Sequence, residues 1–385
     1  MTLNEQLERL AAFDRVPHPV VSLYLNTGPD QRGRDHFQTF VRKELKARAA
    51  TYPPRSADRE SLDRDFDRIV RFLETGLRPS ANAVAIFACD AAGFFETLQL
   101  DAPLDDHSLV IADQPHLYPL ARLAGKYPRY AAVLADTHRA RILVVGLGGI
   151  EEERDVTGVK TRWTKQGATA QARYQRHIEN FHLHHAKEVV AVLERIVLKD
   201  AIETIVVLGD EVVIPLLRAQ MPKALAAKVV DELPLAFGAP DREIIAATLE
   251  SMRKHHLRTD REKVDAAVGA FRASGLGVVG PDATLLALTN GQVDELLLSE
   301  SLGALAALRR TPAAEMAIAN DSGFVRPAVE LAVAGEPAQA RIETVRLADE
   351  LVMKAEQTGA KICFIDDNSL LEPYGGVAAT LRYRI

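Results

Sequence analysis

Residues 158–177 read GVKTRWTKQGATAQARYQRH and separate a strand-like region from a long helical pattern. The stretch has no acidic residue, although the formal net charge of the chain is -6, so its positive charge is a local feature. It also contains the only tryptophan of the sequence, Trp163. A local excess of cations in an acidic chain indicates that this stretch meets an anion. The cations are Lys160, Arg162, Lys165, Arg173 and Arg176.

The order of the patterns around this stretch predicts a sheet covered by helices. Strand-like runs at 130–134 and 141–145 precede it, and a helical pattern from Arg173 to about Lys199 follows it. A further strand at 204–208 and a helix at 212–221 come next. Apolar residues that recur at intervals of three and four are typical of a helix, and short β-branched runs are typical of strands. The basic stretch is therefore the loop between a strand and the long helix of one domain.

Two further α/β units flank this domain. Strand-like runs at 19–26, 83–89 and 94–98 alternate with amphipathic helices before it, and helices and strands alternate again after about residue 276. We therefore predict three α/β domains, at 1–125, 126–275 and 276–385. The glycines of SGLGVVG, residues 274–280, follow a helix and mark a linker better than a dinucleotide-binding loop.

Composition indicates a multidomain globular protein. The chain has 385 residues, of which 47% are hydrophobic and 26% charged, which suffices for two or three cores. No apolar run approaches the roughly 20 residues of a membrane span, and the amphipathic N-terminus does not resemble a signal peptide, so we expect a cytoplasmic protein. Cys89 and Cys363 lie in apolar, strand-like runs and are expected to be reduced core thiols.

RNA is the anion that the basic stretch fits best. Its cations can neutralise several phosphates, and Trp163 or Tyr174 can stack on an unpaired base, at about 1–3 kcal/mol for each stack. The alternative is a charged loop whose tryptophan packs against its own domain. The residues assigned to RNA contact are Lys160, Arg162, Trp163, Lys165, Gly167, Arg173, Tyr174 and Arg176.

Metal and cofactor chemistry are not indicated. Histidines 177, 182, 184 and 185 crowd one helix, but no cysteine or paired carboxylate completes a metal site, so surface or RNA-contacting histidines are expected. The sequence has no phosphate-binding loop of the Walker type, no zinc spacing and no serine–histidine–acid pattern. We predict neither a metal nor a cofactor.

The C-terminal runs LLALTNGQVDELLLSESL, LADELVMKAEQTGAKICFIDD and YGGVAATLRYRI resemble the third domain of the class-1 release factors of eukaryotes and archaea and of their relative Pelota. The run YAAVLADTHRARILVVG, with the basic loop, a glutamine and a long helix after it, resembles the middle domain of that family. VSLYLN, AVAIFAC and FFETLQL are similar to the N-terminal domain of bacterial members, which include the ribosome-hibernation factor Balon.

This resemblance implies a tRNA-shaped protein that enters the ribosomal A site. It implies a ribonuclease-H-like middle domain that reaches the peptidyl-transferase centre. It also implies a third domain like the kink-turn-binding ribosomal proteins, which meets a translational GTPase such as EF-Tu. Gln171 takes the place of the catalytic glutamine of the release factors, where it would orient water on the ester of peptidyl-tRNA.

Two departures from the release-factor pattern bear on activity. Release factors present Gly-Gly-Gln, whereas Thr169 and Ala170 precede Gln171 here and resist the backbone conformations that glycines allow. We therefore expect little or no peptide release. The N-terminal region RKELKARAATYPPRSADRE lacks the Asn-Ile-Lys-Ser motif that reads stop codons, so decoding is not expected. Lys43, Lys46 and Arg48 there are either phosphate contacts or a solvated helix face.

Three functions from different classes follow. The first is a non-catalytic factor that occupies the A site during ribosome hibernation or rescue, with EF-Tu or a related GTPase as a partner. The second is a peptidyl-tRNA hydrolase that uses Gln171. The third is an RNA-binding module that has no ribosomal role.

Overall fold

The computed structural model describes residues 3–28, 37–104, 106–147, 149–157, 171–301, 330–331 and 338–384. The contacts divide the chain into two compact units, Met1–Lys126 together with Thr259–Ile385, and Tyr127–Arg258. The three domains at 1–125, 126–275 and 276–385 stay a prediction. No helix of the described ranges is long and apolar enough to span a membrane.

Helices and strands alternate along the described residues, which gives the mixed α/β class predicted from the sequence. The helices are α1 (Leu3–Ala11), α2 (Phe37–Ala49), α3 (Ala57–Thr75), α4 (Tyr118–Lys126), α5 (Gln171–Lys199), α6 (Val213–Gln220), α7 (Lys223–Ala226), α8 (Asp241–Arg272), α9 (Pro281–Thr289) and α10 (Ala338–Thr358). The strands are β1 (Val20–Asn26), β2 (Ala83–Cys89), β3 (Phe94–Leu100), β4 (Ser108–Ala112), β5 (Tyr130–Ala135), β6 (Arg139–Gly146), β7 (Gly149–Thr157), β8 (Ile205–Gly209), β9 (Val229–Pro234), β10 (Gly277–Val279), β11 (Val293–Ser299), β12 (Glu330–Leu331), β13 (Lys361–Ile365) and β14 (Val377–Leu381).

The first unit contains two sheets. One has the strand order β12-β4-β1-β2-β3, and α2 and α3 cover it through a core that includes Leu23, Val41 and Ile69. The other has the order β10-β14-β11-β13, with β11 parallel to β13 and antiparallel to β14. Val264 and Ala267 of α8 pack on this second sheet. Each sheet therefore buries a face against helices, as a two-layer α/β arrangement requires.

The second unit is built on one sheet of order β7-β6-β5-β8-β9. The β5–β6 and β6–β7 pairs are antiparallel, whereas the β5–β8 and β8–β9 pairs are parallel. Val189 and Leu193 of α5 pack on one face of the sheet, and Ile244 and Met252 of α8 pack in the cluster that includes Leu134. The inner strands are buried along their length, which explains why the sequence shows them as continuous apolar runs.

Two elements lack a clear pattern in the sequence. The charged run after residue 150 is a strand, β7, whose acidic side chains are largely exposed and pair with arginines, Glu153 with Arg141 at 2.7 Å among them. The region 241–272 is one continuous helix, α8. Apolar residues in its first half belong to one core and those in its second half to another, so the sequence shows no single helical periodicity.

A buried carboxylate joins the two parts of the first unit. Asp349, on α10, accepts hydrogen bonds from the backbone N–H groups of Leu117 (2.9 Å) and Tyr118 (3.0 Å), at the start of α4. The ring of His116 donates from Nδ1 to the same carboxylate at 2.7 Å. Asp349 thus satisfies N–H groups that the first turn of α4 leaves without a partner inside the helix, and its charge favours that end of the helix dipole.

The surroundings of this carboxylate are closed to water. His116 and Asp349 are each 3% exposed, and the backbone N–H of His116 donates to Ser22 Oγ at 2.9 Å. The Tyr118 hydroxyl donates to the carbonyl of Ser299 at 2.7 Å, so α4 is also fixed to the end of β11. Burial, followed by the charge of Asp349, raises the pKa of Tyr24, which donates to the carbonyl of His116.

We predict that Asp349→Ala lowers the free energy of unfolding by about 3 kcal/mol or more, because it leaves three buried donors without an acceptor. Asp349→Asn keeps one carbonyl oxygen and should lose less. Urea denaturation followed by circular dichroism measures both. Glu350→Ala, a half-buried neighbour on the same helix, is the control and should change stability little. Equal effects of the two alanine variants would contradict the assigned role.

Candidate RNA-contact site at the base of the basic loop

The predicted RNA-contact residues lie in and beside the loop that follows β7. Lys160, Arg162, Trp163, Lys165 and Gly167 fall in residues 158–170, outside the described residues. Gln171 is the first residue of α5. The other three predicted residues lie in its first two turns, where the backbone is described but the side chains are not: Arg173, Tyr174 and Arg176. These assignments stay predictions.

The loop starts at one end of the sheet, where β7 ends. Thr157, the last residue of β7, pairs with Arg139 at the beginning of β6. The chain returns through α5, whose first described ring contacts are those of Phe181 and His182 with His138, with ring centroids 5.7 and 5.8 Å apart. A helix rises 1.5 Å per residue, so Gln171 lies about 15 Å from Phe181 along α5.

The turn between β5 and β6 lies at the same end of the sheet. Asp136 accepts hydrogen bonds from the backbone N–H groups of His138 (2.8 Å) and Arg139 (2.7 Å). Partial burial opposes ionisation of Asp136, but these hydrogen bonds and the Arg139 guanidinium at 3.1 Å lower its pKa. The guanidinium also lies over the ring of Phe237, 4.3 Å from its centroid. The turn is therefore fixed, with His138 and Arg139 exposed on it.

The second carboxylate at this sheet end also serves the backbone. Asp210 follows β8 and accepts hydrogen bonds from the N–H groups of Val212 (2.9 Å) and Val213 (2.8 Å), where α6 begins. Among the described residues, no three histidine, cysteine or acidic side chains are grouped so that they could hold a metal ion. Asp136 and Asp210 are therefore structural caps, and nothing in their contacts assigns them to catalysis.

Two histidines of α5 face this sheet end. Burial is the main cause that lowers the pKa of His182, His138 adds to it, and Asp210 opposes it. His185 is 2% exposed, and neither ring nitrogen has a hydrogen-bond partner among the side chains and backbone groups that the structure describes. Burial lowers the pKa of His185 as well, although the nearby backbone of Arg139 opposes part of the shift. Both rings therefore favour the neutral form at pH 7, more than a free histidine does.

The arrangement can bind an unpaired nucleotide. His138, Phe181 and His182 form an aromatic surface, because every ring centroid of the three lies 5.7–6.3 Å from the others. Such rings can stack on a base, and the exposed edge of Arg139 beside them can meet a phosphate. The predicted role of the α5 histidines in RNA contact fits His182 but not buried His185, and His184 is exposed away from these rings.

Sequence reasoning did not find His138, Arg139 or Phe237, because their contacts join a turn, the helix α5 and the segment after β9, which lie far apart in the chain. A signal was present in ADTHRA, residues 135–140, where polar residues follow a buried strand at once. Such residues lie at a sheet edge, where loops carry function. The α5 histidines alone did not reveal which of them shares that edge.

We predict that His185→Leu raises the free energy of unfolding by about 1 kcal/mol at pH 7.5, because it removes a buried polar ring without partners. A histidine whose pKa is lowered on folding destabilises the folded state as the pH falls, since the unfolded chain binds the proton more readily. The advantage of the variant should therefore grow between pH 7.5 and 5.5 in urea denaturation. His184→Leu, an exposed neighbour, should follow the wild type. A loss of stability in His185→Leu would show that the ring has a partner.

Comparison with known proteins gives one family match. Residues 115–253 match the family model described as bacterial archaeo-eukaryotic release factor family 10. The matched segment contains α4, the whole β7-β6-β5-β8-β9 sheet, the basic loop and the first part of α8. No curated protein matches the chain.

Solved structures of archaeal and yeast translation factors are also similar. An archaeal translation termination factor, aRF1, is 14% identical, with a TM-score of 0.24 and coverage of 99% of this chain and 96% of that one. The Archaeoglobus fulgidus Pelota is 14% identical, with a TM-score of 0.34 and coverage of 80% and 82%. S. cerevisiae Dom34, described as a translation termination-like factor, is 12% identical, with a TM-score of 0.40 and 79% coverage of each chain. The family match confirms the predicted resemblance over residues 115–253, which are similar to the bacterial archaeo-eukaryotic release factors of family 10.

Proposed function

We propose that this protein is a tRNA-mimicking translation factor that binds the ribosomal A site in hibernation or rescue, without reading stop codons. The basic loop, residues 158–177, would lie near the peptidyl-transferase centre. The observation that carries the proposal is that β7 ends at one end of the sheet, directly before this loop, within the segment that matches the release-factor family. Ribosomal RNA is the polyanion that such a loop would meet, and the protein would act in the cytoplasm.

The position of Gln171 at the start of a long helix supports a role in which the loop contacts RNA at a distance from the sheet. Gln171 begins a helix of 29 residues, and roughly ten of them separate it from the rings at the sheet end. The N–H groups of a first helical turn lack partners within the helix and carry partial positive charge, which suits phosphate or a developing oxyanion. The cations of the loop would add to this attraction, and the surface of His138, Phe181 and His182 would contact RNA at its base.

The strand arrangement supports the finer fold assignments. In the second unit the order β7-β6-β5-β8-β9, with two antiparallel pairs followed by two parallel pairs, fits a ribonuclease-H-like domain. In the first unit the mixed sheet β10-β14-β11-β13 between helices fits a domain like the kink-turn-binding ribosomal proteins. We propose these two folds for the middle and C-terminal domains, with boundaries near 126 and 275.

We propose a translational GTPase, EF-Tu or a relative, as the partner of the C-terminal domain. Leu286 on α9 is 63% exposed and Tyr383 is 48% exposed, and the Tyr383 hydroxyl donates to the carbonyl of Asn290, just beyond α9. These apolar groups suit a protein contact better than an RNA contact. A pull-down of purified EF-Tu should weaken with Leu286→Ser combined with Tyr383→Ser, but not with Leu198→Ser, which is 75% exposed on α5. Equal capture by both variants would reject this surface.

Ribosome binding should depend on the loop cations. Replacing Lys160, Arg162 and Lys165 by alanine removes three possible phosphate contacts, so the slope of log affinity against log salt should fall by about 2 to 3. Affinity for purified ribosomes should drop by at least tenfold at low salt. Pelleting through a sucrose cushion across a salt series measures both quantities.

The alternatives to ribosome binding are separated in the same assay. Arg195, Lys199 and Arg218, exposed cations elsewhere on the second unit, give a variant of equal charge change that should bind as the wild type does. A wild-type protein that binds free RNA but does not pellet with ribosomes would favour the RNA-binding module without a ribosomal role. Unchanged binding by the loop variant would reject the loop as the contact.

Catalysis is tested at Gln171. A peptidyl-tRNA hydrolase needs this amide close to the ester, so Gln171→Ala would cost a large factor in release with ribosome binding nearly intact. Because Thr169 and Ala170 replace the flexible glycines of release factors, we expect little release by the wild type and a mild effect of the substitution.

A variant that restores the glycines tests the same idea in the opposite direction. Thr169→Gly combined with Ala170→Gly should create or raise the release of labelled peptide from stalled ribosome complexes. Efficient single-turnover release by the unmodified protein, lost in Gln171→Ala, would instead establish the hydrolase. Both experiments use the same complexes and the same readout.

A further inference from the structure

Helix α8 carries a second local concentration of positive charge, which the loop-centred function does not use. Residues 253–258 read RKHHLR and contain no acidic residue, in a chain whose formal net charge is -6. The segment lies within the second unit, in the middle of a helix of 32 residues. It lies far along the chain from the basic loop, so its charge is an independent observation.

The cations of this segment share one exposed face. Arg253, Lys254, Leu257 and Arg258 are all exposed, whereas Ser251 and Met252 just before them are buried. At 100° per residue, the four exposed positions span a sector of about 140°, and the two ends lie about 7.5 Å apart along the axis. The three charged groups therefore form one patch, with the 41% exposed Leu257 between them.

Little within the protein neutralises this patch. Glu250 lies 3.7 Å from Arg253 and 3.8 Å from Lys254, but all three side chains are well exposed, and such pairs contribute little. Arg258 makes no ion pair with any described residue, and its guanidinium lies 3.4 Å from Nδ1 of His255. Lys254 and Arg258 are like charges four residues apart, an arrangement that weakens a helix slightly. An external anion would relieve that repulsion.

The chemistry of the patch selects an RNA backbone among the possible anions. Guanidinium groups bind phosphate oxygens in a fork, and a row of cations follows a chain of phosphates. A membrane surface fits poorly, because Leu257 is the one exposed apolar residue in the segment and the opposite helix face is buried in the protein core. We propose that Arg253, Lys254 and Arg258 of α8 form a second contact with the phosphate backbone of ribosomal RNA, separate from the loop at 158–177.

This inference rests on the proposed function, and its first test measures salt dependence. Replacing Arg253, Lys254 and Arg258 by glutamine should lower the affinity for purified ribosomes by about tenfold or more and reduce the salt slope by about 2 to 3. The matched control replaces Lys187, Arg218 and Lys223, exposed cations on three other helices of the same unit, by glutamine. Thermal unfolding of each variant checks that the fold is intact.

The outcomes separate the inference from the function on which it rests. A wild-type protein that does not pellet with ribosomes contradicts both. Wild-type binding together with an α8 variant that matches the control contradicts only the α8 contact. A selective loss in the α8 variant, with the loop variant losing binding independently, supports two separate contacts.

A second experiment distinguishes RNA from an acidic protein as the contact. Leu257→Cys places a thiol in the centre of the patch, for attachment of an iron chelate that cleaves nearby nucleic acid by hydroxyl radicals. The wild-type chain treated in the same way is the control, because Cys89 is buried and Cys363 is half-buried. Specific cleavage of ribosomal RNA in the variant, weakened by high salt, is expected. Ribosome binding without cleavage above the control would assign the patch to a protein and overturn the proposal.

Discussion

The Asp349 carboxylate is the contact on which the arrangement of the first unit depends. It accepts the ring N–H of His116 and two backbone N–H groups at the start of α4, in surroundings closed to water. A buried carboxylate without such donors is costly, so the contact tolerates neither loss of the acid nor movement of the helix. Residues more than two hundred positions apart are thereby brought together, and α4 then leads directly into the segment that begins the second unit.

In the second unit, aspartates at one end of the sheet also accept hydrogen bonds from backbone N–H groups. The turn after β5 and the start of α6 are each capped by an aspartate, and both caps lie where α5 presents Phe181 and His182. The carboxylates at this edge thus accept hydrogen bonds from backbone N–H groups, while aromatic rings and Arg139 lie beside them. That distribution is consistent with the stacking and phosphate contacts of the proposed function. The buried ring of His185, which has no hydrogen-bond partner within the described part of the chain, is a local cost in stability, of the kind that functional sites carry.

Much of the fold could be predicted because its strands are buried on both faces. Runs such as 130–134 and 205–208 are continuously apolar, and the long helix after the basic loop keeps its apolar spacing from Ile178 to Leu198. Strand β7 escaped prediction because its exposed acidic residues pair with arginines of other elements, which a local pattern does not contain. Helix α8 shows no single apolar periodicity because its apolar residues belong to two cores. The sheet-end site was missed for the related reason that His138 and Phe181 meet only after folding.

Electrostatics connects the loop, the sheet end and α8. An acidic chain is repelled from polyanions as a whole, so binding to RNA requires that its few basic patches meet phosphates at the same time. When two patches are held on one folded unit, engagement of the first raises the effective concentration of the second, and their contributions to affinity multiply. Free RNA of arbitrary shape satisfies one patch and meets the acidic remainder. Under the proposed function, a rigid RNA surface of matching shape would satisfy both, which would make a structured particle such as the ribosome a better ligand than single-stranded RNA. Specificity would then come from the spacing of the patches on the second unit, with no requirement for base recognition.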